Sequence, residues 1–314
     1  MNTLLSLVGQ ALHIALMLVA APVLVGAVAW FEARLQGHPG PPVLQPWRDM
    51  TRALRRMPVL AEGTSWLMHA APGARLAVLA VAAALVPGFT RDMALAPAAD
   101  LLVIAGLLAL ARALSVLAAM DEGGAAAGHE AAAMFSRATL SAPALLLVIF
   151  ALGLAAGDTG LASILGMATE DAPGWLLAAL PLGLALVLVV AADGTGGATA
   201  EMSGRHEALA AAGDALRLTV WLALIAVLFL PPFLPPFLPA HLPLGRVDAA
   251  AAVGNWLIFL PAWLGKMALL AFGVAGARTL SLWPPARRVP SVLALATLLA
   301  VLGVVLLFAG QRQP

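Results

Sequence analysis

Residues 101–120 read LLVIAGLLALARALSVLAAM, an apolar stretch in which Arg112 is the single charged side chain. A helix rises about 1.5 Å per residue, so a stretch of about this length crosses the roughly 30 Å hydrocarbon core of a bilayer. In lipid, only helices and closed barrels satisfy all backbone hydrogen bonds, and the two-residue alternation of a barrel strand is missing here. The stretch therefore predicts a membrane-spanning helix.

The rest of the chain has the same character. Of its 314 residues, 62% are hydrophobic and 11% are charged, and the mean hydropathy is +0.97, far from the composition of soluble domains. We predict an all-α integral membrane protein in which residues 1–314 form a single membrane domain. The first span has no basic leader or cleavage site, so we expect it to be retained. The eight predicted transmembrane helices lie at roughly 4–31, 71–89, 98–119, 139–157, 174–192, 216–236, 255–277 and 291–309.

The arginines between these spans predict the orientation of the chain. Three are assigned to one side of the membrane: Arg91 and Arg246 in even-numbered connections and Arg312 after the last span. Eleven fall in or beside the odd-numbered connections on the other side: Arg34, Arg48, Arg52, Arg55, Arg56, Arg137, Arg205, Arg217, Arg278, Arg287 and Arg288. Because positively charged loops stay in the cytoplasm, we expect both termini on the non-cytoplasmic side of a bacterial inner membrane. The connection at 157–173 contains Asp158, Glu170 and Asp171 without a basic residue, which fits an outer position.

The composition argues against several kinds of site. A formal net charge of +1 indicates no basic surface for nucleic acid. Without cysteine, these residues offer no thiolate ligand for iron–sulfur clusters or zinc. The sequence also has no glycine-rich phosphate loop, no nucleophile elbow and no His-x-x-x-His pair. We therefore predict no catalytic residue, no cofactor site and no metal site in this chain.

The connection after the first span contains the segment GPPVLQPWRDM, residues 40–50. A short cytoplasmic amphipathic helix is predicted at 46–57, with Pro46 in its first turn, where the missing N–H has no partner to lose. Such a helix either lies on anionic headgroups or presents its arginines to a soluble partner. Its apolar stripe consists of Trp47, Met50, Leu54 and Met57. Its charged face consists of Arg48, Asp49, Arg52, Arg55 and Arg56.

Five collinear segments resemble one protein family. They are EARLQGHPGPPVLQPWRDM (32–50), ADLLVIAGLLALARALSVLAAMDEGG (99–124), SAPALLLVIFALGL (141–154), EMSGRHEAL (201–209) and Lys266 in the penultimate span. Together they resemble the membrane subunit shared by respiratory complex I and the energy-converting nickel–iron hydrogenases, in its formate hydrogenlyase version. The resemblance covers most of the chain.

The resemblance implies a non-catalytic membrane subunit of an oxidoreductase complex. Such a subunit docks a cytoplasmic arm, made of a hydrogenase-like large subunit and an iron–sulfur subunit that hold the iron–sulfur clusters and the nickel–iron or related centre. It links this arm to antiporter-like, proton-translocating membrane subunits. The polar positions expected to serve coupling are Lys266, Arg112, Asp100 and Asp121. The docking residues implied are Arg34, Pro41, Gln45, Pro46, Trp47, Arg48, Asp49, Arg52, Glu201, Arg205 and His206.

The sequence departs from the family pattern in its carboxylates. The connection VVAADGTGGATA (189–200) runs directly into EMSGRH without the family's carboxylate-rich stretch, and Ser141 and Ala142 replace an expected glutamate. Asp100 and Asp193 are the acidic residues expected at span ends, and none is expected near mid-membrane. A proton relay through lipid usually needs ionisable groups at intervals. These departures favour anchoring over coupling.

Several alternatives stay open. Lys266 and Arg112 can be functional, can pair with a buried carboxylate or can extend to the headgroups, and Asp100 can cap its helix. One alternative function is a stand-alone secondary transporter with Lys266 and Arg112 in an anion site. Another is a quinone-interacting subunit of an NADH dehydrogenase-like complex, with a tunnel near Arg48 and the loop at 193–210.

Overall fold

The computed structural model describes residues 2–59, 63–88, 93–169, 175–194, 202–230, 249–280 and 284–311, and all structural statements concern these residues. They form helices, with one isolated bridge between Asp100 and Gly160, which confirms the predicted all-α fold. The helices are α1 (Asn2–Leu35), α2 (Gln45–Leu54), α3 (Trp66–Leu85), α4 (Leu101–Asp121), α5 (Ala125–Ala156), α6 (Leu161–Thr169), α7 (Trp175–Asp193), α8 (Gly204–Phe229), α9 (Ala249–Thr279) and α10 (Val289–Gln311).

Within the described ranges, seven helices are long and apolar enough to cross a membrane: α1, α3, α4, α5, α8, α9 and α10. The fifth predicted span corresponds to α7, whose described side chains, Ala178–Asp193, form a shorter apolar stretch. Helices of this length and composition confirm the prediction of a multi-pass membrane protein.

Helix α8 lies at the centre of the bundle. It packs against α1, α2 and α3 and also contacts α7 and α9. In its apolar window 72% of the residues are buried, compared with 22–44% in the other spanning helices. Around it, α3, α4 and α5 pack in chain order, α10 packs against α5 and α7, and α9 packs against α1. Polar side chains on α8 are therefore held away from lipid.

Two helices begin well before their predicted spans. Helix α5 begins at Ala125 rather than at 139, and α8 begins at Gly204 rather than at 216. Both additional segments are rich in alanine, which favours helix even where polar residues lower the hydropathy. Arg137 and Arg217, which the predicted spans leave in connections, consequently lie inside helices. Without these two, the arginines assigned to the two sides still number nine against three, so the charge bias behind the predicted orientation remains.

The connections between helices gather on two opposite faces. On the face that carries α2, here called the α2 face, Asp121 accepts hydrogen bonds from the N–H groups of Ser65 and Met68. On the opposite face, Thr159 accepts a hydrogen bond from the N–H of Leu101. The connection at 157–173 also contains α6, a helix that the sequence analysis did not predict.

Candidate functional site

The loop before α2 is fixed to α1 by a close backbone contact. The carbonyl of Val43 lies so near Gly26 of α1 that a Cβ atom at Gly26 would be 1.9 Å from the Val43 oxygen. Trp47 Nε1 also donates a hydrogen bond to the carbonyl of Val19 at 3.2 Å. The prolines of this loop therefore belong to a turn that holds α2 in one position against α1.

Helix α2 is shorter than predicted, because it ends at Leu54 rather than at 57. Its Ala53 is buried against the bundle. The side chains of Arg52 and Asp49 are 61% and 51% exposed and form an ion pair at 3.1 Å. The α2 face thus offers both charged and apolar groups to a partner. Exposed apolar side chains on and after α2 are Leu54, Met57 and Val59.

Inside the bundle, two aspartates hold three arginines that come from three different helices. Asp193, the last residue of α7, pairs with Arg112 of α4 at 2.7 Å and with Arg217 of α8 at 3.3 Å. Asp214 of α8 pairs with Arg75 of α3 and, at 3.5 Å, with Arg217. A single network of charges therefore joins α3, α4, α7 and α8.

Neighbouring polar groups extend this network. Arg137 of α5 pairs with Glu130 at 2.8 Å. Arg112 donates to the hydroxyl of Ser141 at 3.2 Å, and Trp221 Nε1 donates to Asp193 at 3.2 Å. Ser141 stands where the family resemblance leads one to expect a glutamate, so the structure offers Arg112 a neutral partner at that position.

The network lies well inside the bundle. Arg75, Arg112 and Asp214 are each about two and a half helical turns, or roughly 14 Å, from the end of their helix on the α2 face. The side chain of Asp193 is only 7% exposed and that of Arg75 only 8%. Charges in such a position need partners, because an unpaired buried charge costs several kcal/mol. The ion pairs of the network therefore stabilise the packing of α3, α4, α7 and α8, and the network is also a candidate functional site.

Two cavities adjoin the network. The larger, here called the α2 cavity, has a volume of about 570 Å³ and lies between α1, α2, the end of α7 and α8. The smaller, here called the arginine cavity, measures about 20 Å³. Asp193, Asp214 and Arg217 line both cavities. The remaining walls of the arginine cavity are formed by Arg75, Arg112, Ser115, Met134 and Arg137.

The predicted coupling residues do not come together. Arg112 belongs to the network, as the buried-pair alternative required. Lys266 is half-buried on α9, which packs mainly against α1, and it lines neither cavity. Asp121 binds backbone N–H groups at the α2 face, and Asp100 lies at the opposite face. The structure therefore separates Lys266 from Arg112, against the shared anion site that the transporter alternative needs.

Asp100 acts as the N-cap of α4. Its carboxylate accepts hydrogen bonds from the N–H groups of Leu102 and Val103 at 2.7 and 3.3 Å, and from the hydroxyl of Thr159. Burial acts to raise the pKa of Asp100, but these hydrogen bonds outweigh burial and hold the pKa below its usual value. Asp100 in its ionised form thus joins the ends of α4 and α5 on the face opposite α2.

The predicted docking residues other than Glu201 lie on the α2 face, in the last turn of α1, the following loop, α2 and the first turn of α8. Glu201 lies outside the described residues. Arg48 and Arg205 are exposed. His206 is only 2% exposed, and its ring packs edge-on against that of His69 with centroids 5.4 Å apart. His206 therefore supports the surface from below and is not available for direct contact in this conformation.

Sequence patterns do not predict most of the network. They assign Arg137 and Arg217 to connections, place Asp193 only at a span end and give no role to Arg75 or Asp214. One signal was available: Asp214 and Arg217 have the i, i+3 spacing of a helical ion pair directly before an apolar run. No three His, Asp or Glu side chains in the described part of the chain come together as a metal site.

Comparisons with known proteins agree with this fold. Formate hydrogenlyase subunit 4 of Escherichia coli (strain K12) is 31% identical over 144 residues, which cover 45% of this chain and 46% of that protein. Hydrogenase-4 component C of the same strain is 28% identical over 144 residues, or 46% of each chain. The chain thus spans about half the length of the curated relatives it matches.

A solved structure extends the likeness to almost the whole fold. A chain of the membrane-bound sulfane sulfur reductase, an archaeal respiratory membrane complex, superposes with a TM-score of 0.71 at 17% identity. The superposition covers 95% of this chain and 99% of that one. A family model described as NADH dehydrogenase matches residues 9–309. Because that match includes nearly all of the sequence, the chain belongs to the NADH dehydrogenase family.

Proposed function

We propose that this protein is the membrane-anchoring subunit of a complex I-related redox assembly of the formate hydrogenlyase type. The α2 face docks a soluble arm, composed of a hydrogenase-like large subunit and an iron–sulfur subunit. Antiporter-like membrane subunits lie beside it in the bilayer. The family match and the two curated relatives support a membrane subunit of such an assembly.

The observation that carries the docking role is the fixed position of α2. A helix held by the Gly26–Val43 contact and by the Trp47 hydrogen bond loses little conformational freedom when a partner binds. Its exposed arginines add electrostatic steering, and the nearby exposed Leu54 and Met57 offer apolar area. A membrane surface helix that only met lipid headgroups would need no such fixation.

The structure supports a role for this chain in anchoring the arm better than a role in transferring protons across the membrane. Between the network and the opposite face, Trp221 and apolar side chains of α4, α5, α7 and α8 pack around a cavity of only about 10 Å³. Ionisable groups at intervals are what a relay needs, and this layer contains none among the residues that line the cavity. The charged network instead runs sideways, from the α2 cavity towards Glu130 on α5.

The test is purification of the tagged full chain in mild detergent, followed by mass spectrometry of the bound proteins. We expect a hydrogenase-like large subunit, an iron–sulfur subunit and antiporter-like subunits to co-purify. The double variant Arg48→Glu and Arg52→Glu should lose the soluble subunits and keep the membrane ones. Asp158→Lys, a charge reversal at an exposed residue on the opposite face, is the control and should keep all of them.

Two results would contradict the proposal. If the chain emerges alone or as a homo-oligomer, the anchoring function is wrong. If the complete complex co-purifies but the double variant retains the arm as well as wild type does, the assembly stands and α2 is not its docking site.

The α2 cavity favours one second candidate, a quinone-interacting subunit. Its volume of about 570 Å³ falls within the range of small-molecule sites. Val25, Met50 and Trp221 supply apolar walls, although Asp49 and Glu207 also line it. A photoreactive quinone analogue incubated with the intact complex should label α2 or α8 if quinone enters. Labelling of other subunits alone would reject this candidate.

A further inference from the structure

The arginine cavity has more positive than negative charge around it. Four guanidinium groups and two carboxylates line it, and Glu130 neutralises Arg137 from outside the cavity. Counted over the described residues, three carboxylates therefore serve four guanidinium groups. The arginines are Arg75, Arg112, Arg137 and Arg217, and the carboxylates that line the cavity are Asp193 and Asp214.

Two of these guanidinium groups have unused donors. Arg75 Nε and Arg112 Nε are buried and have no hydrogen-bond partner among the residues that the structure describes. Arg75 as a residue is only 6% exposed, so water outside the bundle does not reach it freely. A buried donor without a partner is unfavourable, and an unneutralised buried cation is more so. Among the buried side-chain nitrogen and oxygen atoms of the described network residues, these two donors are without a partner, and both belong to residues that line the arginine cavity.

The size of the arginine cavity restricts what can fill it. A cavity of about 10–15 Å³ holds one water molecule, and this one measures about 20 Å³. A lipid headgroup phosphate or an organic acid with a long chain does not fit in such a volume. The hydroxyl of Ser115, which lines the cavity, donates its hydrogen to the carbonyl of Ala111.

We propose that the arginine cavity binds one small monovalent inorganic anion, such as chloride. A halide in this position accepts hydrogen bonds from the free Nε groups of Arg75 and Arg112 and neutralises the fourth guanidinium charge. A water molecule would satisfy the donors but leave the charge. This site goes beyond the proposed anchoring function, because an isolated chain would bind the anion whether or not an arm docks on the α2 face.

The test uses the full chain purified in detergent, in gluconate buffer of constant ionic strength. Radioactive chloride should bind saturably with about one ion per chain, and the Tm should rise with chloride or bromide concentration and level off. Crystals soaked in bromide should show one anomalous peak between Arg75 and Arg112.

The variants Arg75→Gln and Arg112→Gln should bind chloride at least about tenfold more weakly, because each removes a charged donor. Arg287→Gln, at an exposed arginine, is the matched control and should bind like wild type. Helix content and gel-filtration behaviour in gluconate show whether each variant has folded. If either variant misfolds, the bromide peak and the chloride binding of the wild type decide the question.

Three outcomes would overturn the proposal. The first is a wild-type protein without saturable halide binding, which would mean that water alone fills the cavity. The second is a bromide peak at another place. The third is undiminished chloride binding by folded Arg75→Gln and Arg112→Gln.

Discussion

Asp193 carries more of the buried network than any other described side chain, because it pairs with Arg112 and Arg217 and accepts a hydrogen bond from Trp221. Replacing it with Asn keeps the shape and removes the charge that both arginines need. We expect Asp193→Asn to lower the free energy of unfolding by about 3–5 kcal/mol, the usual cost of leaving a buried charge unpaired.

This loss can be measured by unfolding the purified chain in mixed micelles. Asp158→Asn is the matched control, because Asp158 is exposed and its carboxylate accepts one 3.3 Å hydrogen bond from Ser163. The control should change stability by no more than about 0.5 kcal/mol. Equal losses in the two variants would show that the network does not stabilise the bundle.

The stability that Asp100 contributes, on the face opposite α2, depends on pH. Because its folded pKa lies below the ordinary value, the stability that it contributes is present above the unfolded pKa of about 3.9 and is lost as pH falls through the folded value. We expect Asp100→Ala to cost about 0.5–2 kcal/mol at neutral pH, as loss of an N-cap does. The difference from wild type should shrink below about pH 4. A difference that is the same at pH 3 and pH 7 would assign the effect to packing.

At the scale of elements, hydropathy was enough to predict where the membrane helices are. It was not enough to predict where α5 and α8 begin, because a hydropathy window stops at polar residues while alanine continues the helix. For this reason the sequence did not predict that Asp214 and Arg217 lie inside a helix of the bundle. The partners of Asp193 could not be derived either, since they come from α4 and α8 and depend on which helices pack together.

The contact between α1 and the loop before α2 can be tested at Gly26. In Gly26→Ala the new Cβ would meet the Val43 carbonyl at 1.9 Å, so the loop must move. We expect the variant to insert normally in the membrane and to lose at least about tenfold in affinity for the soluble arm, measured by co-purification at graded detergent stringency. Gly106→Ala on α4, where a Cβ meets nothing within 4 Å, should retain the arm. If both variants retain it, the position of α2 does not depend on this contact.

At the scale of the whole molecule, the orientation of the chain in the membrane can be tested with single cysteines, because the 314 residues contain no cysteine. Single cysteines introduced as Arg287→Cys and Asp158→Cys both replace exposed side chains near opposite faces. We expect a membrane-impermeant maleimide to label Arg287→Cys only in inverted vesicles and Asp158→Cys only in spheroplasts, because the arginine-rich face stays in the cytoplasm. The reverse pattern would put the α2 face outside and would rule out a cytoplasmic arm.

The three residues shared by the two cavities have a consequence for how the protein responds to its partners. Asp193, Asp214 and Arg217 line both the α2 cavity and the arginine cavity, so an occupant of one cavity alters the charges that face the other. Thermodynamic linkage makes such an effect reciprocal: the factor by which one occupant changes the affinity for the second equals the factor in the other direction. A docked arm that reaches into the α2 cavity would therefore change the affinity of the arginine cavity for its anion. The anion concentration in the buffer would in turn change the affinity of the α2 face for the arm.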